Sequence, residues 1–237
     1  MKLPNFKDLI LFEDEDYIVI NKPPFLATLD ERFGSAPNIL RLAREQYEDV
    51  QACHRLDKET SGALALAKNP TAYRHLAMQF ENREVKKVYH AAAWGVHEYD
   101  GLRVERSIET TTKGKARLAF KGKPAVTLVR TLEAFAKHTL LECQPVTGRM
   151  HQIRLHLAYL QAPIIGDTMY GGEDFYLSSL KKKFNVKEGE EEQPFIKRFA
   201  LHAANLTFAK LDGTSISTEA PYPKDFRVLI DTLRQYQ

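Results

Sequence analysis

The sequence predicts an α+β fold. Three observations carry the prediction. Short apolar runs of strand length recur along the chain, at Tyr17–Ile20, Ala63–Ala67 and Val88–Trp94. Apolar stripes at helical spacing lie between some of them. The two kinds of segment do not alternate in the regular rhythm of a parallel, doubly wound sheet, and two late pairs of strands read as hairpins.

In chain order, Tyr17-Ile18-Val19-Ile20 is a β-rich run, stopped by Asn21-Lys22-Pro23-Pro24 because proline lacks a donor and restricts its predecessor. Residues 38 to 48 read as a helix with Ile39, Leu40, Ala43 and Tyr47 on one side. Ala63-Leu64-Ala65-Leu66-Ala67 reads as a buried strand. Asn69-Pro70 then opens a helix, the asparagine at the cap and the proline at the first position. Its apolar stripe is Tyr73, Leu76, Ala77 and Phe80, with Arg74 and Gln79 off it. Residues 100 to 124 read as loop-rich and basic, with Lys113, Lys115, Arg117, Lys121 and Lys123.

Val126–Phe135 and Thr139–Val146 read as paired strands. Thr147-Gly148 is expected to begin a helix carrying Met150, Ile153, Leu157 and Leu160. Leu206–Leu211 and Ser215–Glu219 flank Asp212-Gly213, a hairpin signal. Residues 173–197, which include Lys181-Lys182-Lys183 and Glu188–Glu192, are expected to form a flexible loop. With neither repeat nor long linker, the 237 residues read as one domain with its core at about residues 12–226.

Charged residues make up 27% of the chain and no apolar run approaches a membrane span. The amino terminus has no signal-peptide pattern, so a cytoplasmic protein is expected. Cys53 and Cys143 match no metal-ligand spacing and read as reduced thiols. The net charge of +3 permits a nucleic-acid partner without requiring one.

Chemistry-bearing residues concentrate in three places. His54-Arg55-Leu56-Asp57-Lys58-Glu59-Thr60-Ser61-Gly62 precedes a buried strand, so it reads as a loop on a rigid scaffold. An aspartate beside an arginine stays ionised, which suits a nucleophile or a base. A surface ion pair with a turn is the plainer reading of the same residues. Thr147-Gly148-Arg149-Met150-His151-Gln152-Ile153-Arg154-Leu155-His156 crowds cations at an expected helix start, where anions are favoured. A solvated polar helix face is its plainer reading. His151 and His156 are five apart, the wrong spacing for a zinc helix. Lys86-Lys87-Val88-Tyr89 sets cations beside a ring able to stack on a base; a core tyrosine between snorkelling lysines is the alternative.

Taken together, these segments resemble the RluA-type pseudouridine synthases. Four match in order: Asn21-Lys22-Pro23; the string His54–Gly62; Lys87-Val88-Tyr89-His90-Ala91 before Trp94-Gly95; and Thr147–Arg154 followed by Pro163-Ile164-Ile165-Gly166-Asp167. Gly122-Lys123-Pro124-Ala125 and Leu201-His202-Ala203 match more weakly. The resemblance implies a mixed, largely antiparallel central sheet with flanking helices and an RNA-binding cleft. It implies no metal, no organic cofactor, an RNA partner and a monomer. Many relatives carry an amino-terminal S4-like RNA-binding domain; this chain begins almost directly at the core motifs, so that domain is expected to be absent.

The resemblance assigns roles as well. Asp57 is the essential carboxylate, Tyr89 packs against the target base, and Arg154 pairs with Asp57. Arg55 helps displace the target nucleotide from its stack, while Lys22, Lys87 and Arg149 are expected to contact the RNA backbone. The expected reaction isomerises uridine to pseudouridine in ribosomal or transfer RNA. A non-catalytic RNA-binding or chaperone module on the same fold is the alternative, and a metal-dependent hydrolase is a third reading that no ligand spacing supports.

Overall fold

The computed structural model describes residues 3–30, 36–111, 115–181 and 191–236. It is α+β, as expected. The strands and helices in chain order are β1 (Ile10–Glu13), β2 (Tyr17–Lys22), α1 (Ile39–Arg44), β3 (Gln51–Ala52), β4 (Ser61–Ala67), α2 (Pro70–Asn82) and β5 (Lys86–Trp94). Then come β6 (Leu102–Glu105), β7 (Ile108–Thr110), β8 (Ala116–Leu118), β9 (Val126–Ala134), β10 (His138–Pro145) and α3 (Gln152–Tyr159). The chain ends with β11 (Leu201–Ala209), β12 (Ser215–Glu219) and α4 (Lys224–Gln235).

The chain divides into two compact units. The first comprises Met1–Tyr89 and His202–Pro223, the second His90–Leu201 and Lys224–Gln237.

In the first unit, β1 pairs with β2, β2 with β4, β3 with β4 and β11 with β12, all antiparallel. β4 and β11 make a short parallel pair, His202 opposite Ser61 and Ala203 opposite Gly62. Successive strand residues point to opposite faces, and the core records it. Ile18, Ile20, Leu64 and Leu66 join one buried cluster, with Phe6, Ile39 and Leu56. Tyr17, Val19, Ala63, Ala65 and Ala67 join another, with Leu76, Leu206 and Phe208. Burial on both faces is why β4 reads as an unbroken apolar run.

The cap of α2 is as expected: Asn69 Oδ1 accepts the Ala72 N–H at 2.9 Å. Gln79 departs from the expected stripe, for it is buried. Its amide donates to Ala209 O at 2.8 Å and accepts Ala209 N–H at 2.8 Å, so a polar side chain extends the ladder edge of β11. Tyr73, placed on the stripe, is exposed instead.

In the second unit, β9 pairs antiparallel with β10 and with β6, and β7 with β8. The stretch expected to be loop-rich therefore carries three strands; Lys113 lies outside the described residues. The helix expected from Thr147 begins only at Gln152, and Thr147–His151 forms a turn. Helix α4 carries Phe226, Leu229, Ile230 and Leu233 on its buried side, a spacing present in the sequence and not assigned there.

The expected flexible loop at 173–197 is ordered at both described ends. Phe175 is buried, accepts Phe195 N–H at 2.7 Å and meets the Phe195 ring edge-on at 5.7 Å. Its middle, residues 182–190, lies outside the described residues, and with it Lys182, Lys183 and Glu188. Among the described residues, no helix is long and apolar enough to cross a membrane.

Candidate active site

The loop His54–Gly62 is fastened residue by residue. His54 Nε2 accepts Ala65 N–H at 2.9 Å, and its ring stacks on Phe80 at 4.5 Å. Burial, assisted by the nearby Lys87 charge, pushes its pKa down to about 3, so His54 is a neutral staple and no proton carrier near neutral pH. Arg55 projects into solvent and Leu56 sits in the core.

Two side chains hold the main chain on either side of Asp57. Thr28 Oγ1 accepts Leu56 N–H at 3.1 Å and donates to Leu56 O at 3.0 Å. Lys22 Nζ donates to Lys58 O at 3.1 Å, and also to Pro23 O at 2.9 Å and Leu26 O at 2.8 Å. The turn is closed by Thr60 N–H on Asp57 O at 3.0 Å.

This corrects the expectation for Lys22. It is fully buried, with its ammonium among three carbonyls, so it braces the loop from within and presents no charge to a phosphate. The same bonds bridge the turn around Phe25, a non-glycine residue at φ 66.

The remainder of the string is explained by close packing. Ser61 Oγ and His202 Nδ1 are 2.9 Å apart, and His202 Nε2 lies 3.0 Å from Ala220 O. Gly62 has φ 115, and a Cβ there would stand 2.2 Å from Ala203 O. No side chain fits between β4 and β11 at that point.

Tyr89, on β5, packs against the core cluster that contains Leu56. Burial first and the Asp57 charge second raise its phenol well above the ordinary value of 10.0. The tyrosine is therefore neutral and within the electrostatic field of the carboxylate. Lys87, two residues earlier, is partly buried, and desolvation pushes its pKa down to about 8.

In the second unit, the Thr147–Arg154 string is organised by Gln152. Its Oε1 accepts Thr147 Oγ1–H at 2.6 Å and Arg149 N–H at 3.0 Å; its Nε2 donates to Val126 O at 2.8 Å and Thr127 Oγ1 at 3.0 Å. A glutamine so engaged is a brace for the turn, which is also why the helix starts late. His151 adopts φ 54, and its Nδ1 lies 2.8 Å from Tyr170 Oη. Arg149 donates from Nε to Pro124 O at 3.2 Å.

Arg154 is buried and forms a two-pronged ion pair with Asp167, Nε to Oδ2 at 2.7 Å and Nη2 to Oδ1 at 2.6 Å. Its guanidinium also faces the rings of Tyr170 at 4.8 Å and Phe199 at 4.2 Å. Asp167 was legible only as the end of the string Pro163–Asp167, with no role attached. Thr28 had no signal in the sequence at all. The structure thus brings Asp57, Tyr89, Lys22 and Thr28 together in the first unit, and sets Arg149 and Arg154 in one turn-helix element of the second.

The α+β scaffold thus braces the main chain around one loop aspartate near a partly buried, neutral tyrosine. The comparisons give the family. Residues 16–159 match the model of the RNA pseudouridylate synthase family. The ribosomal large subunit pseudouridine synthase D of Neisseria meningitidis serogroup A is 35% identical over 240 residues, covering 95% of this chain and 61% of that relative. The synthase C of Vibrio cholerae is 35% identical over 239 residues, covering 99% and 72%. The chain therefore spans about three fifths of the length of the Neisseria relative. Among solved structures, human RNA pseudouridylate synthase domain containing 4 superposes with a TM-score of 0.76 at 28% identity, covering 97% of this chain and 95% of that one. The chain belongs to the RNA pseudouridylate synthase family.

Proposed function

We propose that the protein isomerises uridine in RNA to pseudouridine, with Asp57 as the catalytic carboxylate. The observation that carries the reading is the braced Asp57 loop, whose carboxylate charge is felt by the Tyr89 phenol. A carboxylate whose main chain is braced on both sides stands beside a neutral phenol ring, on the loop that bears the family string. Fixed geometry around a reacting group is what lowers a barrier without reorganisation during the reaction.

The reaction breaks the bond between N1 and C1′ and forms one between C5 and C1′. C5 loses a proton and N1 gains one, so nothing is oxidised and no atom is added. In this reading Tyr89 lies against the extruded uracil and returns part of the cost of unstacking, a few kcal/mol. Arg55, exposed beside Asp57, enters the vacated stack. Arg154 is the cation assigned to the carboxylate, Lys87 and Arg149 meet the RNA backbone, and such contacts position the strand without reading its sequence.

The substrate class we propose is large-subunit ribosomal RNA. Support comes from the synthases D and C named above, similar over nearly the whole of this chain.

The test is Asp57→Asn, which keeps the shape and removes the charge, together with a pseudouridine map of cellular RNA with and without the gene. Pseudouridine formation by the purified variant at the wild-type rate overturns the assignment. A missing mark confined to transfer RNA overturns the substrate class. RNA binding with no isomerisation in any RNA pool supports the non-catalytic module instead.

A further inference from the structure

The stretch Lys115-Ala116-Arg117-Leu118-Ala119-Phe120-Lys121-Gly122-Lys123-Pro124 holds four cations and no acid. Its apex is a fixed turn. Gly122 N–H donates to Ala119 O at 3.0 Å, which leaves Phe120 and Lys121 as the two central residues. Ile108 and Lys123 exchange backbone bonds at 2.9 and 2.8 Å, and Ala119 N–H donates to Ser107 O at 3.0 Å. A Cβ at Gly122 would stand 2.6 Å from the Ile108 carbonyl carbon, so the crossing accepts only glycine.

On this locked turn Phe120 is fully exposed. The core beneath it takes Ile108, Ala116 and Leu118 and leaves the ring outside. Lys115, Arg117, Lys121 and Lys123 are exposed around it. Arg117 pairs with Glu109 at 2.8 Å. Among the described residues, Lys115, Lys121 and Lys123 form no ion pair. Arg149 bonds Pro124 O, which adds a fifth cation at the foot of the turn.

A rigidly displayed ring costs little entropy to dock, and it stacks on any base through its face. Cations spaced along the flanking strand match a phosphate backbone. An anionic membrane fits less well, because one ring on a turn has no apolar face to submerge.

We propose that the turn at Phe120 is an RNA contact of the second unit, with Phe120 stacking on an unpaired base and Lys121 and Lys123 meeting the adjoining phosphates. The proposal rests on the RNA reading above for its choice of polymer, and its test does not depend on turnover.

The experiment uses the full chain and a short single-stranded RNA carrying one fluorescent purine analogue, whose emission falls on stacking. Wild type is expected to bind and quench. Phe120→Ala is expected to lose the quench and weaken binding about tenfold, and Phe120→Trp to retain both. Lys121→Gln and Lys123→Gln are each expected to flatten the dependence of log affinity on log salt by about 0.7. Since Phe120 is outside the core, its variants keep the wild-type melting temperature. Wild-type binding and quenching that Phe120→Ala leaves unchanged overturn the proposal, and leave the isomerase reading untouched. Binding to phosphatidylserine vesicles in place of RNA also overturns it. Phe120-dependent binding by a protein that forms no pseudouridine upholds it while the isomerase reading falls.

Discussion

Thr28 uses one hydroxyl to satisfy both backbone groups of Leu56, the residue before Asp57. The oxygen accepts the N–H and donates to the C=O, so the peptide is fixed in position and in rotation. Thr28→Val keeps the volume and removes both bonds, leaving a buried donor and acceptor unsatisfied. The expected cost is about 1–3 kcal/mol of stability. The expected kinetic signature is a fall in kcat with KM for RNA unchanged, because the carboxylate moves while the RNA contacts do not. Thr28→Ser restores both bonds and should restore kcat. A rise in KM with kcat unchanged removes Thr28 from the positioning of Asp57.

Lys22 braces the other side of Asp57. Lys22→Met removes a buried ammonium and strands the carbonyls of Pro23, Leu26 and Lys58. The expected loss is about 3 kcal/mol, measured as a lowered urea midpoint. Because the ammonium faces inward, the salt dependence of RNA binding should match wild type. A slope smaller by about one would make Lys22 a phosphate contact after all.

Lys87 gives a pH prediction. Its pKa falls from the ordinary 10.5 to about 8 through desolvation. The folded state holds the proton less tightly than the unfolded chain between those two values. Stability therefore rises as pH climbs from about 8 to 10.5, and is lost as pH falls back through about 8. Lys87→Met removes the desolvated charge, so near neutral pH it should be more stable than wild type, by at most about 3 kcal/mol and less in proportion to the partial exposure of the side chain. The gap should close by pH 10.5, as read from melting temperatures across the range. A gap independent of pH would mean that the gain comes from packing.

What was legible in the sequence follows from where each signal is local. The β-rich run of β2, the unbroken apolar run of β4 and the Asn69-Pro70 cap are written in neighbouring residues, and each appears where expected. The Asp57 string was legible as a family string, yet its physical content is not local. Gly62 is required by Ala203, and Ser61 by His202, each over a hundred residues away. Sequence separation also hid Thr28, whose partner is 28 residues on. Gln79 and Gln152 read as surface amides because a lone amide carries no sign of the backbone it will complete. The late start of α3 has the same origin: Gln152 ties down Thr147 and Arg149, so the turn wins over a longer helix.

Arg154 and Asp167 carry the last prediction. Both side chains are buried, and two short bonds join them. Removing one charge leaves the other desolvated and uncompensated, which costs about 3–5 kcal/mol. Asp167→Asn should destabilise the protein by that amount and misplace the guanidinium that Tyr170 and Phe199 flank. Arg154→Met should cost less, since Met fills the space between the rings. The double variant Arg154→Met, Asp167→Leu has neither charge to bury, so it should recover most of the stability lost by Asp167→Asn. Its activity should stay low, because in the proposed reading Arg154 serves Asp57 as well. Chemical denaturation measures the first effect and single-turnover pseudouridine formation the second. A double variant restored in both would reduce Arg154 to a packing role.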